Sequence, residues 1–254
     1  MVLAVDIGNT NIVIGCVDRD RVILNLRLAT NRDATELEYA LLIRKGFQQE
    51  AFDPRQIDGS ILSSVVPSIT GILAEAVRIL TGKLPIIVGP GLKTGLQIAV
   101  ENPQQLGNDR VTDAVAAAHF YPTPVIIVDM GTATTISVVD EKNRFLGGAI
   151  MPGVYTALNS LSGKASQLPH ISLDQPKKVI GRNTVDAMRS GILYGTAGSV
   201  DAVIRRIREE LGGSCTVVCT GGLSKVITPL CTEEVILDED LLLKGLMLLY
   251  EKNR

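Results

Sequence analysis

The sequence predicts an α/β fold in which mixed β-sheets are covered by helices, and three observations lead to this prediction. Apolar residues make up 46% of the 254 positions and aromatic residues only 4%. The core must therefore consist mainly of Val, Ile, Leu and Ala, which is typical of strands buried beneath helices. Strand-like and helix-like patterns also alternate along the chain, and one strand–turn–strand unit occurs twice.

The repeated unit indicates a duplicated domain. Its two copies are AVDIGNTNIVIGCV at residues 4–17 and IVDMGTATTISVVD at residues 127–140, which align without a gap. The alignment places Asp6 on Asp129 and Gly8 on Gly131, a shift of 123 residues. In each copy a strand ends in Asp-x-Gly, small hydroxyl or amide residues follow, and further strands complete the unit. Because the shift is about half the chain length, we expect two related domains with a ligand-binding cleft between them.

The other elements are predicted from hydrophobic periodicity and from turn and cap residues. In the first half they are a third strand at 19–30, a helix at 35–49, a strand at 59–66, a helix at 67–80 and a strand at 84–88. In the second half they are a helix at 109–119, a third strand at 142–150, a segment that opens at 152, a helix at 184–211, strands at 215–222 and 234–238, and a last helix to 250. We place the boundary within residues 119–125, which gives domains 1–120 and 121–254, and the last helix is able to pack back on the first domain.

Charge and composition exclude several classes of function. With 25 Lys+Arg against 27 Asp+Glu and no basic run, the chain lacks the electrostatic footprint of a nucleic-acid-binding protein. Arg205, Arg206 and Arg208 lie at helical spacing, which indicates a solvated helix face. No apolar stretch approaches 18 residues and the N-terminus has no basic region before its strand, so we expect a cytoplasmic protein without a membrane segment.

Cysteine and histidine spacing argues against a zinc site. The four cysteines show no C-x-x-C spacing and lie mostly in or beside apolar segments, which predicts reduced, buried thiols. His119 and His170 belong to no metal-binding spacing. The segment GPGLKTG at 89–95 imitates a dinucleotide-binding motif, but its glycine spacing differs and no helix pattern follows it, so we interpret it as a loop.

Polar residues interrupt an otherwise apolar strand pair near the N-terminus, which indicates a binding site. Gly8 lets the chain double back so that backbone N–H groups face an anion, and Asn9, Thr10 and Asn11 add side-chain donors. Asp6 is useful beside an anion only when a cation lies between them, as Mg²⁺ does when a carboxylate and nucleotide phosphates hold it. The alternative is a hairpin turn that needs Gly and Asn for positive φ. Two copies facing one cleft favour nucleotide binding.

The paired Asp-x-Gly hairpins resemble those of the actin-like ATPase and sugar-kinase superfamily, whose duplicated domains are ribonuclease H-like. Within it the chain is similar to the type III pantothenate kinases. The similarity is carried in family order by NPQQLGNDR at 102–110, VDMGTATT at 128–135, LGGAIMPGV at 146–154, ASQLPHI at 165–171, IGRNTVDAMRSGILYG at 180–195 and CTGG at 219–222. The resemblance implies ATP-dependent phosphorylation of pantothenate to 4'-phosphopantothenate, the first step of coenzyme A biosynthesis. It also implies an active site in the interdomain cleft, Mg²⁺, a monovalent cation (K⁺ or NH₄⁺) and a homodimer.

The resemblance also implies site residues. The residues expected to bind ATP are Asp6, Ile7, Gly8, Asn9, Thr10, Asn11, Ile12, Val13 and Thr132, and Asp6 is expected to reach Mg²⁺ through the nucleotide. The residues expected to bind pantothenate are Val100, Gly107, Asn108, Asp109, Arg110 and Thr184. The carboxylate expected to hold the monovalent cation is that of Asp129.

Three of these roles have competing structural explanations. Phosphoryl transfer to an alcohol needs a carboxylate that accepts the hydroxyl proton, and Asp109 is the candidate, although it could merely cap the helix that begins there. Arg110 offers a planar fork for the carboxylate of pantothenate, or it forms an ion pair with Asp109 or Asp113. Thr184 contacts pantothenate by the resemblance, or it caps the long helix.

One departure from the family bears on the substrate. A tyrosine that helps to hold pantothenate usually stands where this chain has Val100, and loss of its hydrogen bond is worth about 1 kcal/mol. A related kinase that acts on another hydroxy acid therefore stays open, as does a non-catalytic accessory or regulatory member of the family. The accessory role is disfavoured because the chain retains Asp6, Asp109, Arg110, Asp129 and Thr132. A protein that only binds partners needs no base.

Overall fold

The computed structural model describes residues 1–165 and 167–254, so Ser166 of the predicted motif at 165–171 lies outside the described residues. The strands are β1 (Val2–Ile7), β2 (Asn11–Asp18), β3 (Arg21–Ala29), β4 (Gly59–Ser64), β5 (Ile86–Ile87), β6 (Gln97–Ile98), β7 (Val125–Met130), β8 (Ala133–Val139), β9 (Arg144–Pro152), β10 (Thr216–Thr220) and β11 (Ile236–Leu237). The α-helices are α1 (Glu36–Gln49), α2 (Pro67–Thr81), α3 (Asn108–Phe120), α4 (Val154–Lys164), α5 (Thr184–Leu211), α6 (Ser224–Ile227) and α7 (Leu241–Asn253). The chain divides into two compact units: unit 1 comprises 1–96, 101–119 and 240–254, and unit 2 comprises 97–100 and 120–239.

Unit 1 is built on a five-stranded mixed sheet of order β3-β2-β1-β4-β5. β1 runs antiparallel to β2 and parallel to β4, so β1 is an interior strand and is buried along nearly its whole length. Alternate side chains of β1 point to opposite faces of the sheet. Leu3 and Val5 pack in the core that includes residues of α1 and α2, whereas Val2 and Ala4 pack in a second core with residues of α3 and α7.

The helices of unit 1 begin and end where capping chemistry predicts. Thr35 and Glu38 form a capping box at the start of α1, because the Thr35 side chain accepts from the Glu38 backbone N–H and the Glu38 carboxylate accepts from the Thr35 N–H. α2 has Pro67 in its first turn and ends at Gly82 with φ of 75°, the left-handed conformation that glycine adopts readily.

Unit 2 is built on a six-stranded mixed sheet of order β11-β10-β7-β8-β9-β6. β7 is again an interior strand, antiparallel to β8 and parallel to β10. Ile126 and Val128 of β7 pack in one core with Ile192 and Val200 of α5. Both sheets are therefore mixed and each has helices packed against it, as the sequence predicts.

The two units repeat one design with a difference of one residue at the turn. β1 and β7 have the same pattern of buried and half-buried residues. The strands that follow them, β2 from Asn11 and β8 from Ala133, also share one burial pattern. Both β2 and β8 have an irregularity in their pairing with the third strand near their ends. The last paired residues before each turn are Ile7 with Ile12 and Met130 with Thr134. The gap-free alignment of the sequence is therefore wrong beyond the glycine, because the first turn contains one residue more than the second.

Most predicted elements are confirmed, and the differences concern short ones. The strands predicted at 84–88 and 234–238 contain only two paired residues each, and the two-residue strand β6 was not predicted. The segment predicted to open at 152 is the helix α4, and the segment at 89–95 is a loop. No helix in the described part of the chain is long and apolar enough to cross a membrane.

Candidate active site

The first turn, residues 8–11, is tightly closed at the carboxyl end of β1. The Gly8 N–H donates to the Asn11 carbonyl at 3.0 Å, and a Cβ at Gly8 would lie only 2.9 Å from that oxygen. Neither Gly8 nor Asn9 has positive φ, so this glycine is required by close approach of the backbone and the predicted alternative of a positive-φ hairpin does not apply. The carboxylate-bearing residue Asp6 is half-buried beside the turn.

The first turn presents groups that suit an anion. Asn9 is exposed, and its backbone N–H donates to no group in residues 1–165 or 167–254. The guanidinium of the exposed Arg32 lies 3.5 Å from the side-chain oxygen of Asn9 and adds positive charge at the turn. A backbone N–H and a cation at one tight turn are a suitable arrangement for phosphate oxygens.

The start of α3 lies at the same edge of the unit 1 sheet as the first turn. The side-chain amide of Asn108 donates to the Val88 carbonyl at 3.0 Å and to the Ser64 carbonyl at 3.4 Å. The next residue after Ser64, Val65, donates its N–H to the Ile7 carbonyl at 3.0 Å. Asn108 therefore fixes Asp109 and Arg110 at the carboxyl ends of β1 and β4, where ligands commonly bind in α/β sheets.

Asp109 lies within the first turn of α3 and is not its N-cap. The Val111 N–H donates to the Gly107 carbonyl at 3.2 Å, so the first helical hydrogen bond begins at Gly107. One carboxylate oxygen of Asp109 accepts the Arg110 N–H at 2.8 Å, and a Cβ at Gly107 would overlap this oxygen. Burial lowers the pKa of Arg110, and the charge of Asp109 opposes this shift. A carboxylate and a guanidinium thus lie together at a helix N-terminus.

The second turn, residues 131–133, is enclosed by two glycine contacts in unit 2. Gly221 has φ of 91°, and a Cβ there would overlap the Asp129 carboxylate and lie 2.6 Å from the Met130 nitrogen. A Cβ at Gly153 would overlap the carbonyl oxygens of residues 131 and 132. Because Thr220 pairs with Asp129 across β10 and β7, the CTGG segment lies beside the second aspartate.

Thr132 occupies the exposed tip of the second turn. Its carbonyl accepts the Gly153 N–H at 3.2 Å and the Thr156 hydroxyl at 2.7 Å. The carbonyl is therefore directed towards the start of α4. Thr132 is thus placed at a backbone turn next to Asp129, the position that the sequence predicts for a phosphate contact.

The capping role considered for Thr184 is wrong. Asn183 caps α5: its side-chain oxygen accepts the Asp186 N–H at 2.8 Å, and its side-chain N–H donates to the Asp186 carboxylate at 2.8 Å. Two adjacent residues of capping type stand at this helix start, and the extended conformation at Asn183 decides between them. Thr184 is exposed and lines a groove of about 740 Å³ with Met188 and Ile192 of the same helix.

The predicted pantothenate residues are distributed over both units. Residues 107–110 belong to unit 1, whereas Val100 and Thr184 belong to unit 2. Val100 is half-buried and packs near Gly147 of β9. Sequence reasoning missed the contacts of Thr30, Arg32 and Thr156 with the turns, because isolated hydroxyl and basic residues outside the repeated motif carry no signal of their own.

The described residues contain no group of three or more His, Cys, Asp or Glu side chains able to hold a metal ion. Asp6 and Asp129 instead offer one carboxylate each beside a backbone turn, and such a donor set fits an ion that takes its other ligands from phosphates, carbonyls and water. The four cysteines are free, but only Cys16 and Cys219 are buried as predicted, whereas Cys215 and Cys231 are half-buried. Burial raises the pKa of Cys16 and of Cys219 to about 12.

Comparison with known proteins agrees with this geometry. A family model for type III pantothenate kinase matches residues 2–206. Curated type III pantothenate kinases from Moorella thermoacetica and from an Exiguobacterium species are 42% and 43% identical to the chain, and each alignment covers 100% of both proteins.

Solved structures show the same fold at low sequence identity. A Campylobacter jejuni protein of the Baf family of transcriptional activators has a TM-score of 0.61 at 20% identity, with 98% of this chain and 97% of that chain covered. Component A of the (R)-2-hydroxyglutaryl-CoA dehydratase of Acidaminococcus fermentans has a TM-score of 0.56 at 14% identity, with 98% and 96% covered. These similarities confirm the fold class, a duplicated actin-like α/β architecture with mixed sheets flanked by helices. The family match and the full-length identity to curated kinases show that the chain belongs to the type III pantothenate kinase family.

Proposed function

We propose that this protein transfers the γ-phosphoryl group of ATP to the hydroxyl of pantothenate and forms 4'-phosphopantothenate, the first step of coenzyme A biosynthesis. The observation that carries the proposal is the identity of 42–43% to type III pantothenate kinases over the full length of the chain. The placement of Asp109 and of the first turn at one edge of the unit 1 sheet supports it.

Asp109 is the proposed general base. Phosphoryl transfer requires little covalent chemistry from the protein, but the attacking hydroxyl must be oriented and its proton accepted. The Asp109 carboxylate uses one oxygen to accept the Arg110 N–H, and that bond orients the other oxygen for the substrate. The two bonds from the side-chain amide of Asn108 to carbonyls hold the start of the helix and so support this orientation.

Arg110 is proposed to bind the carboxylate of pantothenate. A guanidinium presents a planar fork of donors that matches a carboxylate, and partial burial strengthens such a pair by excluding water. Gly107 and the backbone of Asn108 are assigned to the same substrate, because the side-chain amide of Asn108 is bound to two carbonyls. Thr184, which is exposed, is assigned to pantothenate by the family resemblance. Val100 takes the place of the family's tyrosine. We therefore expect pantothenate to bind about fivefold more weakly than it would with the phenol present, the effect of one hydrogen bond of about 1 kcal/mol.

The first turn is proposed to bind the phosphates of ATP. The residues assigned to this role are Asp6, Ile7, Gly8, Asn9, Thr10, Asn11, Ile12 and Val13, and Thr132 of the second turn is assigned a phosphate contact as well. Backbone N–H groups and the Asn and Thr side chains supply the donors. Mg²⁺, which neutralises phosphate charge, would be held by the nucleotide with Asp6 as the nearby carboxylate.

Asp129 is proposed to hold the monovalent cation, K⁺ or NH₄⁺. Its support is a half-buried carboxylate that lies against Gly221, a glycine that also lies against the backbone of Met130. Oxygen ligands from a carboxylate and carbonyls suit such an ion. The cation would offset negative charge near the transferring phosphate.

We propose that the protein forms a homodimer and that it is located in the cytoplasm. The support for a dimer is a set of exposed apolar side chains near the start of α5, among them Leu161 and Ile180, which are 42% and 82% exposed. The support for the cytoplasm is that it supplies ATP and keeps unpaired cysteines reduced. Light scattering after size-exclusion chromatography should give the mass of two chains, and the mass of one chain would contradict the dimer.

The decisive experiment is ATP-dependent conversion of pantothenate to its phosphate, followed by mass spectrometry and by release of ADP. The purified protein is assayed with Mg²⁺ in buffers that contain K⁺, NH₄⁺ or only Na⁺. We expect product with K⁺ or NH₄⁺ and much less with Na⁺. A panel of pantothenate analogues and sugars tests the alternative of a related kinase, and absence of turnover with every acceptor would favour an accessory protein.

A further inference from the structure

Thr30 directly follows β3 and joins that strand to the first turn through two hydrogen bonds. Its hydroxyl donates to the Gly8 carbonyl at 2.7 Å, and its backbone N–H donates to the Thr10 carbonyl at 3.0 Å. Both bonds end on carbonyl oxygens of the turn that is assigned to phosphate. Thr30 itself contributes no group to the catalytic chemistry described above.

The bond to Gly8 determines where a phosphate donor points. The Gly8 carbonyl and the Asn9 N–H belong to one peptide unit, which is planar and trans, so the two groups point in opposite directions. When the Thr30 hydroxyl holds the carbonyl, the Asn9 N–H is directed to the other side of the turn. This is the N–H that donates to no other group in the part of the chain that the structure describes.

The segment that carries Thr30 is itself firmly held. The next residue, Asn31, donates its N–H to the Tyr39 hydroxyl at 2.9 Å, and the Tyr39 hydroxyl donates to the Asn31 carbonyl at 2.6 Å. Tyr39 is only 1% exposed, so it ties the segment to the core of unit 1. A rigid segment can hold the turn in one orientation, whereas a mobile one could not.

Unit 2 shares the backbone part of this connection at its own turn. With the one-residue difference taken into account, Gly153 is the counterpart of Thr30, since each directly follows the third strand of its unit. The Gly153 N–H donates to the Thr132 carbonyl at 3.2 Å, as the Thr30 N–H does to Thr10. Glycine has no hydroxyl, and the hydroxyl that reaches this turn is that of Thr156 from α4. It donates at 2.7 Å to the same Thr132 carbonyl, whereas the Thr30 hydroxyl donates to the Gly8 carbonyl. Each unit therefore supplies both a backbone and a hydroxyl donor to its turn.

We infer that Thr30 is a positioning residue for ATP, which orients the Asn9 N–H towards the phosphates by holding the Gly8 carbonyl. The inference rests on the proposed function, because it assigns the first turn to ATP. It predicts that the hydroxyl of Thr30, and not its methyl group, sets the affinity for the nucleotide.

The test compares Thr30→Val, which is nearly isosteric but lacks the hydroxyl, with Thr30→Ser, which keeps it. The control is Thr81→Val at the end of α2. It removes a similar hydroxyl-to-carbonyl bond, from Thr81 to Val77 at 2.9 Å, together with the bonds between this hydroxyl and the backbone of Lys83. We expect Thr30→Val to raise the KM for ATP by about 3- to 10-fold, the effect of one hydrogen bond. The kcat and the KM for pantothenate should change by less than about twofold, and Thr30→Ser and Thr81→Val should resemble the parent.

A second measurement does not depend on turnover. Hydrogen exchange of the Gly8 N–H, which donates to Asn11 within the turn, should be faster in Thr30→Val than in the parent and in Thr81→Val. Circular dichroism verifies that each variant is folded, and if Thr30→Val does not fold, Thr30→Ala replaces it against Thr30→Ser. The inference would be overturned if Thr30→Val had the same KM for ATP and the same exchange rate of the Gly8 N–H as the parent protein. A raised KM for ATP in Thr30→Ser would also overturn it. If the parent does not phosphorylate pantothenate, the proposed function fails, and the exchange of Gly8 together with calorimetric binding of ATP still decides the role of Thr30.

Discussion

Replacement of Asp109 by Asn separates the catalytic explanation of this residue from the structural one. Asn keeps the size of the side chain and the side-chain oxygen that accepts the Arg110 N–H at 2.8 Å. It removes the negative charge and the ability to accept a proton from pantothenate. The two explanations therefore predict losses of different size in different measurements.

The structural loss is small. A carboxylate in the first turn of a helix stabilises the fold by about 0.3–1 kcal/mol through the helix dipole. For a protein of this size that corresponds to a decrease in Tm of roughly 1–4 °C. The catalytic loss is much larger, because a general base contributes about 10²–10⁴-fold to the rate, or about 3–5 kcal/mol of the activation barrier.

The assay measures kcat at saturating ATP and pantothenate, with Tm from circular dichroism because the chain has no Trp. Glu36→Gln is the matched control, since Glu36 is an exposed carboxylate in the first turn of α1. We expect both variants to lose a few degrees of Tm at most, and only Asp109→Asn to lose turnover. A kcat within about tenfold of the parent in Asp109→Asn would refute the assignment of the base, and an equal loss of activity in the control would refute the distinction.

Three further predictions concern the cation site, the buried thiols and the packing of α7. Gly221→Ala should raise the K⁺ concentration needed for activity severalfold, because the added Cβ overlaps the Asp129 carboxylate and the residue has φ of 91°. An unchanged K⁺ titration would contradict the proposal that Asp129 holds the cation. For Cys16 and Cys219 burial raises the pKa to about 12, whereas an unfolded thiol ionises near 9. The contribution of these two thiols to the free energy of unfolding should therefore be constant below about pH 9 and fall between pH 9 and 12. Denaturation at pH 8 and pH 10.5 measures this decline, which should lessen when both cysteines are replaced by Ala. Gly245→Ala should destabilise unit 1 by about 1–3 kcal/mol in urea denaturation, because its Cβ would overlap a backbone carbonyl of α3, and a parental midpoint would show that α7 shifts freely.

The sequence was sufficient to predict the elements whose signals are local. Strands such as β1 and β7 are continuous apolar runs that end in Asp-x-Gly, and α5 was predicted with its observed bounds from its periodicity and from the polar residues before it. Strands of two residues, such as β6, contain too few positions for any periodicity, and they form only because a neighbouring strand supplies hydrogen bonds.

The sequence predicts candidate residues for the site but not the contacts that these residues make. The aspartates and glycines of both turns follow from the repeat, but the extra residue of the first turn appears only in the strand register. Asn108 was assigned to substrate, and the structure shows that its side-chain amide is bound to the carbonyls of Ser64 and Val88. Such contacts join residues that are 44 and 20 positions apart, and a single sequence contains no information about them.

The packing of α7 on β1 has a consequence for how the protein is made. Leu243 and Leu246 lie in the same core as Val2, Ala4 and Ile61, although the helix and the strand are far apart in the sequence. The ribosome must therefore have synthesised residues 241–253 before the half of the molecule that it produced first can bury this face. Until then the nascent N-terminal sheet exposes an apolar surface, and chaperones that recognise such surfaces would be expected to bind it. Early termination of translation should consequently yield fragments that are degraded, even when every residue of the first turn is present.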